Sequence, residues 1–130
     1  MSEKLIGPLE GKRIAVLGLA FKKDTDDIRE AASLRVTEKL LEKKAVVVAY
    51  DPKAILSAKR VLEDSVEYAQ YARSALKDTD CCIVMNEWDQ FKKLKVRDFT
   101  DSMTAPNVVD ARRNYEPEQF KEIRMEGVGL

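Results

Sequence analysis

Four basic side chains, Lys22, Arg29, Arg112 and Arg113, follow closely on two short apolar runs, Ile14–Leu17 and Val108–Val109. Their chemistry is that of anion capture. A lysine placed just before a helix start, beside unpaired backbone N–H groups, meets a phosphate readily, and a guanidinium forks onto two of its oxygens. Other chemistry is poorly served, because the chain has no histidine and its two cysteines, Cys81 and Cys82, are adjacent in the apolar run CCIVM. Neither a zinc site nor a His-assisted nucleophile can be assembled from such a set. Neighbouring strand side chains point to opposite faces, so the two thiols are not expected to pair. They read as small buried hydrophobes. No catalytic residue and no metal ligand is expected in this chain.

The segment IAVLGLAFKKDTDDIRE, residues 14–30, carries the densest information. Ile14, Ala15, Val16 and Leu17 closed by Gly18 have the continuous apolar character of a central parallel strand. Phe21, Lys22, Lys23, Asp24, Thr25, Asp26 and Asp27 follow, and then Ile28, Ala32, Val36 and Leu40 set out one face of a helix reaching about Lys43. Thr25 or Asp26 can cap that helix through a side-chain oxygen. The plain alternative is a solvated loop whose lysines and arginine pair with Asp24, Asp26, Asp27 or Glu30.

The elements that must position these groups alternate regularly. A strand Arg13–Gly18 is followed by the helix, then by a strand Val46–Tyr50 stopped by Asp51 and Pro52. Next come a helix over Ile55–Leu62, a brief edge strand at Val66–Tyr68, a short helix over Tyr71–Lys77 and a strand Cys81–Met85. Trp88 and Phe91 open another short helical piece, Asn107–Asp110 forms a strand, Pro117 lies near the start of a helix to Ile123, and Met125–Val128 finishes the sheet. This is the rhythm of a parallel sheet with crossover helices. Right-handed connections then give a single α/β domain, a three-layer Rossmann-like sandwich with helices on both faces. The strand ends before Phe21, Asp51, Asn86 and Ala111 fall on one carboxyl edge, where open α/β sheets bind ligands.

At 130 residues the chain suits one domain and is small for a two-substrate enzyme carrying its own cofactor fold. Lysine plus arginine number 23 and aspartate plus glutamate number 23, so no global field attracts nucleic acid or anionic lipid. Any anion binding must be local. The opening residues MSEKLIGPLEGK lack the hydrophobic core of a secretion signal and no window has the length of a membrane span, which makes a cytoplasmic protein the expectation.

After the first strand, GLAF offers one glycine where a dinucleotide fingerprint needs three. Close approach of this backbone to a pyrophosphate is not supported, and the domain is not expected to be the NAD-binding one. Asp51 ends the second strand where such folds place a ribose-binding acid; without the glycines, a turn role with Pro52 is favoured.

Taken in order, the segments GKRIAVLGLAFKKDTDDIRE, AYDPKA, ALKDTDCCIVMNEWDQF, VVDARRNY and MEGVGL resemble the C-terminal, UDP-binding domain of the UDP-glucose/GDP-mannose dehydrogenases, over nearly the whole chain. Members of that family oxidise a nucleotide sugar twice at its C6 alcohol, giving a carboxylate, with NAD as oxidant. The resemblance implies that residues 1–130 are the nucleotide-sugar-binding domain. The N-terminal NAD-binding domain and the central dimerisation domain, which carries the catalytic cysteine, would lie outside this chain as its partners. NAD would be held mainly by those domains, and the isolated chain would be inactive, since neither Cys81 nor Cys82 matches the catalytic motif.

Carried over by position, the resemblance places Phe21 and Lys22 on the family's FK pair, which contacts the nucleotide sugar. It places Arg29 on the arginine of DxRE, which reaches toward NAD, and Arg112 on the substrate-contacting arginine of VVDxR. Arg113 stands where many members have asparagine, which leaves open which of the two arginines faces the ligand. Trp88 occupies the place of the tryptophan in TEW and reads as packing. REAAS lacks the proline that commonly follows the glutamate, and GVGL lacks the usual arginine ending. Two other readings compete: a stand-alone nucleotide-binding or regulatory module, and a phospho-accepting receiver domain. The latter is disfavoured because Leu19 and Ala20 replace the paired acids such domains carry after the first strand.

Overall fold

The computed structural model describes residues 10–19, 32–85, 91, 93–104, 107–110 and 124–127. Six strands lie parallel in one sheet: β1 (Arg13–Leu17), β2 (Val46–Tyr50), β3 (Glu67–Tyr68), β4 (Cys81–Val84), β5 (Asn107–Asp110) and β6 (Arg124–Gly127). Their spatial order is β3-β2-β1-β4-β5-β6. Four helices are described between them, α1 (Ala32–Glu42), α2 (Ile55–Leu62), α3 (Ala72–Leu76) and α4 (Val96–Ser102), with a 3₁₀ turn at Glu63–Ser65.

The strands sort their side chains into two layers with a period of two. Ile14, Val16, Val47, Ala49, Cys81, Ile83 and Val109 meet Leu40 of α1 and Ala58 and Leu62 of α2 in one core. Ala15, Leu17, Val48, Tyr50, Cys82, Val84 and Val108 meet Ala75 and Leu76 of α3, Phe91, and Phe99 of α4 in the other. The expected three-layer architecture is therefore present. The central strands β1 and β4 are buried on both faces because helices cover both, which is why their sequences are continuously apolar. Cys81 and Cys82 are fully buried in opposite cores.

The strand order is the one used by dinucleotide-binding domains, with its switch point between β1 and β4. The glycine-poor first turn thus bears on what the site can hold and leaves the topology unchanged. Most elements fall within a residue or two of the sequence expectation. Helix α4 is a departure, since the sequence reading has one short helical piece opened by Trp88 and Phe91 before the strand at Asn107 and names no separate helix starting at Val96. Its start is set by the Asp98 carboxylate, which accepts the Lys95 N–H at 2.7 Å. Among the described side chains of α1, Ser33, Thr37 and Leu40 are buried. Val36, on the face expected from the hydropathy pattern, packs partly buried against the same core. The expected helix near Pro117 and the caps Thr25 and Asp26 lie outside the described residues.

Candidate nucleotide-binding rim

The register brings five strand ends into one row. Tyr50 of β2 lies opposite Leu17 of β1, Leu17 opposite Val84 of β4, Val84 opposite Asp110 of β5, and Asp110 opposite Gly127 of β6. Every strand points the same way, so the chain leaves β1, β2, β4 and β5 at a single edge, as the sequence predicts.

At that edge the exit from β1 is held on three sides. Gly18 takes φ +97°, a conformation that glycine adopts without the penalty a Cβ imposes, and its N–H donates to the Tyr50 carbonyl at 2.8 Å. The Leu19 N–H donates to Asp51 Oδ2 at 2.8 Å. The Leu19 carbonyl accepts the hydroxyl of Ser33, on α1, at 2.7 Å. Asp51 Oδ1 accepts the N–H groups of Lys53 and Ala54 at 2.8 and 2.9 Å, closing the turn into α2. Asp51 has 1% of its surface exposed and accepts backbone N–H groups on both oxygens. The turn role favoured from the sequence is what the structure has. The sequence gives no hint of the bond across to Leu19, 32 residues earlier.

This arrangement decides the fit of a dinucleotide at the same place. A ribose-binding acid must offer a free oxygen to solvent, and the pyrophosphate needs a glycine-lined turn. The β1–β2 end of the rim has neither, so its described residues do not fit the adenosine half of NAD.

Phe21, Lys22, Arg29, Arg112 and Arg113 lie outside the described residues, as does Trp88. The described residues nearest Phe21, Lys22, Arg112 and Arg113 do lie on the rim: Leu19 two residues before Phe21, and Asp110 two before Arg112; the one nearest Arg29 is Ala32, at the start of α1. With β4 between them, β1 and β5 are two strand spacings apart, roughly 9–10 Å. The cysteines sit at the other end of β4, where Cys81 pairs with Ile14 near the start of β1. They have no access to the rim. Among the described residues no cluster of three or more metal-ligating side chains occurs, and no helix is long and apolar enough to cross a membrane.

A second polar feature lies between the starts of α3 and α4, where Tyr71, Arg73, Lys93, Lys95, Arg97 and Asp98 line a groove. Burial alone would push the Asp98 carboxyl up. The Lys95 N–H, the Arg73 guanidinium with Nε at 2.8 Å, and the charges of Arg73 and Arg97 outweigh it, holding the group below the usual carboxylate range. The sequence signal for this joint, an acid three residues after Lys95, is of low specificity.

Comparison with known proteins identifies the fold's relatives. Residues 15–117 match the model of the UDP-glucose/GDP-mannose dehydrogenase family, UDP binding domain. The chain belongs to this family. A UDP-glucose 6-dehydrogenase of Bacillus subtilis is 38% identical over 110 residues, 85% of this chain and 25% of the relative. One of Haloferax volcanii is 43% identical over 105 residues, 81% and 24% respectively. Among solved structures, a UDP-glucose dehydrogenase from the archaeon Pyrobaculum islandicum superposes with a TM-score of 0.80 at 35% identity, covering 96% of this chain and 27% of that one. As a UDP-binding domain, the chain spans about a quarter of the length of the curated relatives it matches.

Proposed function

We propose that this chain is the nucleotide-sugar-binding part of an NAD-dependent UDP-glucose 6-dehydrogenase-type oxidoreductase, working in the cytoplasm with separate NAD-binding and central domains. The row of strand ends Tyr50, Leu17, Val84, Asp110 and Gly127 carries the reading, because the exits of β1 and β5 leave from one edge. Lys22 and Arg112 would neutralise the diphosphate, with the guanidinium forking onto its oxygens, and Phe21 would pack on sugar or base. Arg29 would reach toward NAD, which the other domains hold; the occupied oxygens of Asp51 fit that division of labour. Oxidation itself is assigned to those domains, since the buried Cys81 and Cys82 offer no nucleophile at the rim.

Titration calorimetry with UDP and UDP-glucose tests the binding. Lys22→Ala and Arg112→Ala should each weaken UDP about tenfold or more, the scale of a lost charge-assisted hydrogen bond. A wild-type chain silent at millimolar UDP would sink the proposal. Adding separately produced NAD-binding and central portions, then following NADH with UDP-glucose, separates the two surviving readings. NADH formation supports the dehydrogenase, and binding without turnover supports a stand-alone module.

A further inference from the structure

Asp51 and Ser33 grip the same residue, Leu19, from opposite sides: Oδ2 of Asp51 accepts its N–H at 2.8 Å and the Ser33 hydroxyl donates to its carbonyl at 2.7 Å. All three residues are buried, with 2% or less of their surface exposed. Leu19 is the last described residue before the segment that carries Phe21 and Lys22. We infer that Asp51 and Ser33 are positioning residues for anion binding: they fix the backbone on both sides of the Leu19 Cα, and with it the point from which the chain leaves the sheet toward Lys22. This rests on the binding role proposed above for Lys22.

The physical reason lies in the bond count. The two bonds hold the peptide planes on either side of the Leu19 Cα, one through the Leu19 N–H and the next through the Leu19 carbonyl, so neither plane rotates without breaking a buried hydrogen bond, and a buried group left without a partner costs far more than an exposed one. Asp51 cannot let go of Leu19 without disturbing the turn into α2, since its other oxygen holds Lys53 and Ala54. Three backbone segments, after β1, after β2 and at the start of α1, are thereby fixed in one geometry. The carboxylate at the end of β2 acts on the ligand through the backbone.

The test compares the 130-residue chain with three variants. Ser33→Ala removes the donor to the Leu19 carbonyl. Asp51→Asn leaves one amide oxygen for N–H groups on two sides, so an NH₂ must face an N–H. Thr79→Ala is the control, because Thr79 is fully buried and its hydroxyl donates to the Leu76 carbonyl at 2.7 Å, a bond of the same kind near the strand starts. Calorimetry should show UDP affinity falling about tenfold in Ser33→Ala and further in Asp51→Asn, at a temperature where each variant is fully folded by circular dichroism, and unchanged within about twofold in Thr79→Ala. Amide exchange should quicken at Leu19 in Asp51→Asn. Unchanged affinity in both rim variants, or an equal loss in Thr79→Ala, overturns the inference. A wild-type chain that binds no UDP overturns the binding proposal instead, and exchange at Leu19 then decides: unaltered protection in Asp51→Asn removes the clamp as well.

Discussion

At the amino edge of the sheet, Asp80 accepts the Arg13 N–H at 3.0 Å and returns its own N–H to the Arg13 carbonyl at 2.7 Å, while the Asn107 amide donates to the Asp80 carbonyl at 2.9 Å. These bonds tie strand start to strand start, β1 to β4 to β5. A bidentate pair between Arg13 and Glu67, with contacts of 2.9 and 3.3 Å, reaches over β2 to β3. At the carboxyl rim, by contrast, Asp51 binds the backbone that leaves the strands. One edge fastens the sheet to itself, and the other fastens the beginnings of loops to the sheet. A domain whose ligand contacts ride on loops needs the second kind of bond, because the sheet alone fixes where a strand stops and leaves open where the next residues go.

The contrast can be broken most directly by deleting each acid. Asp51→Ala strips partners from three backbone N–H groups and should cost about 3 kcal/mol or more, whereas Asp80→Ala strips one and should cost about 1–2 kcal/mol. Urea denaturation of the two variants gives both numbers. An Asp80→Ala loss equal to that of Asp51→Ala would mean the edges are held alike.

What the sequence reveals of these edges follows the range of the interactions. Strands β1, β2 and β4 are legible because two-sided burial makes Ile14–Leu17, Val46–Tyr50 and Cys81–Val84 apolar without interruption, and hydropathy is local. Their gathering at one rim is legible too, since it follows from parallel connections alone. The clamp is not, because the two side chains that meet Leu19 come from positions 33 and 51, and serine and aspartate at these places look like ordinary helix-surface and turn residues. Helix α4 escapes for a related reason. Over seven residues, VRDFTDS shows little periodicity, and its position depends on Phe99 reaching the core and on Asp98 meeting both Lys95 and Arg73. The motif residues that suggested the function were legible by resemblance, which carries types and order but no coordinates.

A smaller test sharpens the comparison at the joint between α3 and α4, where an acid again holds a backbone N–H. Asp98 has a folded-state pKa below its unfolded value of about 3.9, so its contribution is fully present above that value and is lost as pH falls through the folded one. Asp98→Asn should cost about 1–2 kcal/mol at neutral pH, through the lost helix cap and the lost Arg73 partner. The gap between wild type and variant should then narrow below about pH 4. Denaturation midpoints across that range read the effect. A gap that stays constant with pH would show that the carboxylate charge plays no part in the joint.

The smallest expected effect has the opposite sign and lies where α1 returns to the amino edge. The Ala45 N–H donates to the Leu40 carbonyl and the Lys44 N–H to the Leu41 carbonyl, both at 3.0 Å, a Schellman closure with Lys44 at its left-handed position, φ +64°. Glycine is the usual residue there, as it is at Gly18 on the rim, yet the amino edge tolerates lysine. The left-handed conformation costs a residue with a Cβ about 1–2 kcal/mol, and glycine gives part of that back through its greater freedom in the unfolded chain. Lys44→Gly should therefore stabilise the domain by about 0.5 kcal/mol, while Gly18→Ala should destabilise it, because the strain enters where Gly18 and Leu19 are both hydrogen-bonded. Two-state denaturation of the pair measures both signs. Were Lys44→Gly neutral or destabilising, packing of the lysine stem along the end of α1 would outweigh backbone strain, and the amino edge would be tuned by side chains to the same degree as the rim.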